Sequence, residues 1–141
     1  MDRATFDEYI AGFNAEDTTA FDRFIAEDLW MINGLLEIHG RQGMKDHYAK
    51  IWPDFVETLD VVDFVSDDNR LAIEMKTNFR ARHDAPEALF GPVVEGDQFD
   101  FHGVILYRIN DAGQFSHIRV AYNSFRKTGV DGTRTELGLP H

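Results

Sequence analysis

A chain of 141 residues that is 43% hydrophobic and 13% aromatic can bury one substantial core, so a single domain over 1–141 is expected. With 14 basic against 25 acidic residues, its formal charge of −11 repels phosphate backbones and anionic membrane surfaces, and neither nucleic acid nor membrane is an expected partner. The absence of cysteine removes disulfides, thiolate nucleophiles and cysteine metal sites.

The N-terminus, MDRATFDEY, lacks a basic region followed by an apolar run, and no stretch approaches the roughly 18 apolar residues of a membrane span, so a cytoplasmic protein is expected. In residues 5–33, TFDEYIAGFNAEDTTAFDRFIAEDLWMIN, the side chains Phe6, Tyr9, Ile10 and Phe13 recur at helical spacing, and Thr5 with Glu8 has the form of a capping box. Residues 14–17 punctuate that helix. Thr19 is placed to cap a second one, whose Phe21, Phe24 and Ile25 close over the same side. Residues 29–33 read as a strand and 36–39 as a short second strand. Gly40 opens a third helix with the buried stripe Met44, Tyr48, Ile51 and Phe55, flanked by His47 and Trp52, and Pro53 ends or kinks it.

From Thr58 the pattern turns to strand, with Val61, Val62, Phe64 and Val65 leading to a turn at 67–69. Residues 70–82 alternate strictly, placing Leu71, Ile73, Met75, Thr77 and Phe79 on one face. Residues 83–96, with two prolines, two glycines and Leu89-Phe90, read as a loop placed to act as a lid. The strand 98–109 sets Phe99, Phe101, Gly103, Ile105 and Tyr107 inward, a turn at 110–113 follows, and 115–125 forms the last strand with Ile118, Val120 and Tyr122 inside. The polar, glycine-rich tail from Arg126 is expected to be loosely held. Three helices followed by long antiparallel strands make an α+β fold with a curved sheet against helices at one side.

A helix carrying YIAGFNAED, a phenylalanine-rich helix ending in FIAED, and then a strand together resemble the opening of the NTF2-like superfamily, specifically its SnoaL-like and ketosteroid-isomerase-like branch. The resemblance implies a cone-shaped fold, a mainly antiparallel sheet wrapped against three N-terminal helices, enclosing a deep and mostly apolar pocket. Placing the ketosteroid-isomerase pattern on this chain puts its hydrogen-bonding tyrosine on Tyr9 and the supporting tyrosine on Tyr48. Its aspartate base falls on Asn33, which cannot take a proton from carbon, and its second, protonated aspartate falls on Ile105. Another base is then required. The resemblance puts His47 at a pocket-lining position beside Tyr48, and histidine titrates near neutral pH. The competing reading of His47 is a half-exposed helix residue bonded to a carbonyl or water, and His39 is a second candidate. SnoaL-like cyclases use an acid near the C-terminal end of the sheet, where this chain has Asn123 and Ser124. Scytalone-dehydratase-like sites combine histidines and tyrosines with an acid, and Tyr9, Tyr48, Tyr107, Tyr122 and His47 supply most of such a set.

Alternation and the resemblance together aim Met31, Met75, Thr77, Phe79, Phe101, Tyr107 and Tyr122 into one pocket, with Trp52 beside them as a substrate contact. The histidines form no HxxxH pair, His83-Asp84 lies in the loop, and Asp100 with His102 faces outward, so no metal site is expected. No phosphate loop, GxSxG elbow or dinucleotide fingerprint occurs, and no cofactor is implied. Two functions remain. One is a cofactor-independent isomerase, dehydratase or cyclase acting on a small hydrophobic carbonyl or polyphenolic compound, with Tyr9, Asn33, His47 and Tyr48 as its catalytic set. The other is a non-catalytic ligand-binding or protein-interaction module on the same fold. Val104 and Leu106 interrupt the polar outward face of their strand and imply a homodimer.

Overall fold

The computed structural model describes residues 1–138. In chain order the elements are α1 (Arg3–Asn14), α2 (Thr19–Phe24), β1 (Ile25–Asn33), β2 (Leu36–His39), α3 (Gly40–Ile51), β3 (Phe55–Ser66), β4 (Arg70–Ala81), β5 (Ala85–Ala88), β6 (Gly91–Val93), β7 (Gln98–Ile109), β8 (Phe115–Thr128) and β9 (Arg134–Glu136). The large sheet runs β2-β1-β8-β7-β4-β3, with β9 added to the far part of β8. All its pairs are antiparallel except β1 with β8. β2 and β3 end the sheet without pairing to each other, so it stays open and the three helices cover its inner face. This is the α+β architecture that the sequence pattern implies.

The helices start differently from the sequence reading. Asp2, not Thr5, caps α1, its Oδ1 accepting from the Thr5 amide at 2.8 Å, while Glu8 pairs with Arg23 of α2. At α2 the cap position is Thr18, and the Asp17 carboxylate accepts from both the amide and the hydroxyl of Thr19. Such an Asx turn satisfies a backbone donor that the first turn of a helix leaves free. Gly12 lets α1 and α2 meet: a Cβ there would lie 2.5 Å from that of Ala20. Pro53 does end α3, and Phe55 therefore opens β3 rather than extending the helix stripe.

Three strands are longer than expected, and residues 83–96 are not a bare loop. β1 begins at Ile25, β3 at Phe55, and β8 runs on to Thr128. Within 83–96, β5 and β6 form a hairpin whose tip carries Leu89 and Phe90. The base of that hairpin is held by Asp97, which is 4% exposed and accepts from the amides of Val94 and Val130 and from Lys127. Burial pushes the Asp97 carboxyl up, but these donors outweigh it and hold the group below the usual carboxylate range. The tail from Arg126 is likewise more ordered than its composition suggests, because β9 pairs Arg134 to Glu136 with β8. Its last three residues lie outside the described ones.

The twelve phenylalanines divide between filling the core and lining a cavity. Phe6, Phe13, Phe21, Phe55, Phe99 and Phe115 are fully buried and interlock edge to face, as Phe6 does on Tyr107 with ring centres 5.4 Å apart. Phe79, Phe90, Phe101 and Phe125 instead surround an internal space.

A candidate active-site cavity

Between the inner face of the sheet and helices α1 and α3 lies a cavity of about 380 Å³. Tyr9 and Phe13 reach it from α1, and Met44, His47 and Tyr48 from α3. Met31 and Asn33 come from β1, Met75, Thr77 and Phe79 from β4, Phe101, Ile105 and Tyr107 from β7, and Tyr122 from β8. Leu89 and Phe90 of the hairpin close one side. Four anticipated catalytic positions and every anticipated substrate contact but Trp52 thus meet around one space.

Trp52 is the correction. Its ring stacks on Phe21 at 5.9 Å and lies 5.2 Å from Tyr48, behind the wall rather than on it, because the helix ends there and turns the indole toward α2. His39, the second histidine candidate, faces away: it is largely exposed, stacks on Trp30 and pairs with Glu37. Asn123 is exposed on the outer side and Ser124 does not reach the cavity.

The inner face also carries a group that the sequence reading passed over. Phe55, Glu57, Leu59 and Val61 alternate inward along β3, so Glu57 projects into the cavity and is 5% exposed. Extending the period of two by one step back from Leu59 would have found it. The turn at Pro53 hid the start of the strand, and an acid at an inward position broke the apolar rhythm. Neighbouring structure fixes β3 firmly: the Asn14 side chain donates to the Leu59 carbonyl at 3.0 Å and accepts from the Leu59 amide at 2.8 Å.

Burial dominates the electrostatics here. It pushes the Glu57 carboxyl up from 4.5 to about 8, so the neutral form predominates at physiological pH. Burial also lifts Tyr9 and Tyr48 above their ordinary values, and a charge on Glu57 would lift them further. Tyr107 is raised by burial and then by Tyr9, and Tyr122 by burial, with the Asn33 amide acting against it through a side-chain hydrogen bond. All four phenols therefore stay protonated, and each keeps an O–H to donate. His47 is half-buried at the rim, its ring 4.9 Å from that of Tyr48. Burial, then Lys50, holds its pKa below the usual value and favours the neutral imidazole.

The site thus combines a carboxyl kept protonated with an imidazole kept unprotonated, an acid and a base coexisting near neutral pH. Neither Asn33 Oδ1 nor Glu57 Oε2 has a hydrogen-bond partner in the protein, although both atoms are buried. Perturbed, unpartnered groups of this kind gather at functional sites. No Lys or Arg stands among the described residues that line the cavity. Among the described residues no three His, Asp or Glu side chains converge as a metal ligand set.

A family model for the SnoaL-like domain matches residues 6–118. Among solved structures, the chain is similar to a SnoaL-like polyketide cyclase from Agrobacterium tumefaciens, with 17% identity and a TM-score of 0.64 over 83% of this chain and 87% of that one. It is similar also to an LEH-like epoxide hydrolase from M. tuberculosis, with 13% identity and a TM-score of 0.66 over 83% and 78% of the two chains. A computationally designed 17-OHP binder shares 16% identity and a TM-score of 0.64 over 91% and 89%. No curated protein matches the sequence. At these identities the likeness is one of fold, and the fold is one that enzymes use.

Proposed function

Since the chain belongs to the SnoaL-like domain family, in the SnoaL-like branch of the NTF2-like superfamily, we propose that it is a cofactor-independent enzyme moving protons on a small hydrophobic carbonyl or polyphenolic compound. The observation that carries this reading is Glu57, a protonated carboxyl without a protein partner inside an apolar cavity. A ring ketone seated there accepts a hydrogen bond at its oxygen from Glu57, with Tyr9 and Tyr48 as further donors where water is excluded. His47 takes the proton from the carbon beside the carbonyl. The bonding pair moves toward the oxygen, which receives the Glu57 proton, and an enol results.

From the enol, a proton returned to a different carbon gives an isomer. Departure of a β-carbon hydroxyl as water, taking the proton from His47 while the enol O–H returns its proton to Glu57, gives a dehydration, and attack of the enol carbon on a second carbonyl closes a ring. The pocket chemistry supports the shared first step rather than one of the three. A phenol cannot be the base here, since an unperturbed one holds its proton to about pH 10 and burial strengthens that hold. Cytoplasmic residence and a homodimer belong to this reading as proposals; no described helix is long and apolar enough to cross a membrane.

The test needs no natural substrate. A ring ketone such as 2-tetralone incubated with the protein in deuterium oxide should exchange its α-hydrogens faster than in buffer, as followed by proton NMR. The rate should follow a bell in pH, rising as His47 loses its proton below its ordinary 6.5 and falling as Glu57 ionises near 8. His47→Gln should remove the exchange and leave binding of the ketone in place. Binding without exchange would favour the alternative, a non-catalytic small-ligand module, which the replacement of the family's carboxylates by Asn33 and Ile105 also supports.

A further inference from the structure

The cavity's two unpartnered atoms are chemically unlike. Asn33 Oδ1 can only accept a hydrogen bond, whereas the neutral Glu57 carboxyl has one O–H to give, and its Oε2 is buried without a partner. They stand on opposite sides of the sheet's inner face, Asn33 at the end of β1 and Glu57 at the start of the edge strand β3, with β8, β7 and β4 between them. The floor separating them is apolar: Ile118, Val120, Ile105 and Met75 line it. No lysine or arginine among the described lining residues offers a charge to an anion.

We infer that the occupant is an uncharged, ring-sized molecule carrying a hydroxyl at one end and a carbonyl at the other, the hydroxyl donating to Asn33 and the carbonyl accepting from Glu57. The inference deepens the proposed function, since it assumes that this cavity is the binding site. An occupant with only one of the two groups leaves a buried polar atom unsatisfied, which costs as much as a lost hydrogen bond or more. A carboxylate in the hydroxyl's place meets the acceptor Asn33 Oδ1 and no counter-charge, in an environment that already keeps Glu57 from ionising. Selection therefore runs against acids and in favour of hydroxyketones.

Calorimetric titration of the full chain at pH 6.5 with matched bicyclic probes tests this without any turnover. The probes are 1-tetralone, a tetrahydronaphthol, the set of hydroxy-1-tetralones with the hydroxyl on the aromatic ring, and a carboxy-1-tetralone. The best hydroxytetralone should bind about tenfold tighter than either single-group probe, and the carboxylate about tenfold weaker than 1-tetralone. In Asn33→Leu the hydroxyl's advantage should vanish, so that hydroxytetralone and 1-tetralone bind alike. In Glu57→Met the carbonyl's advantage should vanish, and Glu57→Gln, which keeps an N–H donor, should restore it. Equal binding of the carboxylate and the best hydroxytetralone by the unaltered protein overturns the inference, whether or not the variants fold. Equal loss for all probes in Asn33→Leu overturns it too. A correct binding order with no deuterium exchange would sink the enzyme reading alone, and full-rate exchange on the carboxylated ketone would sink this inference alone.

Discussion

A carboxyl that is neutral when folded and ionised when unfolded makes stability depend on pH in a definite direction. The folded pKa of Glu57, about 8, stands above the unfolded value of 4.5. Below pH 4.5 both states hold the proton and nothing changes. As pH rises through the interval the unfolded state ionises first, and stability falls until the folded pKa is passed, by up to about 5 kcal/mol. Glu57→Gln lacks the proton to lose. Its melting temperature, measured against the unaltered protein from pH 4 to 9, should draw steadily ahead as pH rises, and a constant difference would contradict the burial argument. Other groups do not mimic the effect: His47 and His83 titrate in both proteins and cancel in the comparison, and the carboxyls of Asp2, Asp17, Asp97 and Asp131 are lowered and titrate below the window. At this scale helical spacing put Tyr9 and Tyr48 on buried faces, and the family resemblance gave them, with His47, their place at the pocket. The sequence concealed Glu57, because a lone acid on an inward face reads as a break in a strand until the strand's start is known.

At the scale of elements, one glycine decides how the last two long strands meet. The register between β7 and β8 shifts between His102 and Gly103, so that Gly103 faces Tyr122 while His102 faces Ser124, and Asn123 is left over. That extra residue switches the inward side of β8, which is why Tyr122 and Phe125, three positions apart, both line the cavity. A Cβ on residue 103 would lie 2.2 Å from the Ala121 carbonyl oxygen and 2.7 Å from the Cα of Tyr122, so the backbone itself must yield. Gly103→Ala should cost about 1–3 kcal/mol and weaken binding of the ketone probes. A variant as stable as the parent in urea, with unchanged affinity, would show that the bulge does not place these rings. Alternation by two made β4 and β7 legible from the sequence, with β7 found at 98–109. The same rule could not reveal the bulge, nor the hairpin of β5 and β6, whose proline- and glycine-rich residues look like loop. Phe90 orders the hairpin tip by packing on Phe79, Phe99, Phe101 and Phe125 at ring distances of 4.8 to 5.5 Å, contacts that are remote in sequence.

For the whole molecule, the outer face of the sheet is the surface left to explain. Val104 and Leu106 are 54% and 44% exposed there on β7, and across β8 the same face carries Trp30 of β1, over whose ring Arg119 sits at 4.5 Å from the centre. The His102–Glu74 pair lies on the same face. A second copy of the chain is the occupant proposed for this face, with apolar centre against apolar centre and the charged groups at the rim. Sedimentation at micromolar concentration should give the mass of two chains, and Leu106→Asp with Val104→Asp should give one. A strictly monomeric parent would refute the dimer while leaving the cavity untouched, since Glu57, Asn33 and His47 all face inward.

The acid chemistry of the cavity depends on the proton held by Glu57. Carbon-13 NMR of protein labelled at the glutamate side-chain carboxyl carbon reads that proton directly. A buried, protonated Glu57 gives one resonance that stays in the protonated position through neutral pH, titrates near 8, and is missing from Glu57→Gln. If instead every glutamate carboxyl titrates close to 4.5, the ordinary value, Glu57 is an anion at neutral pH and neither the acid role nor the exclusion of acidic ligands survives.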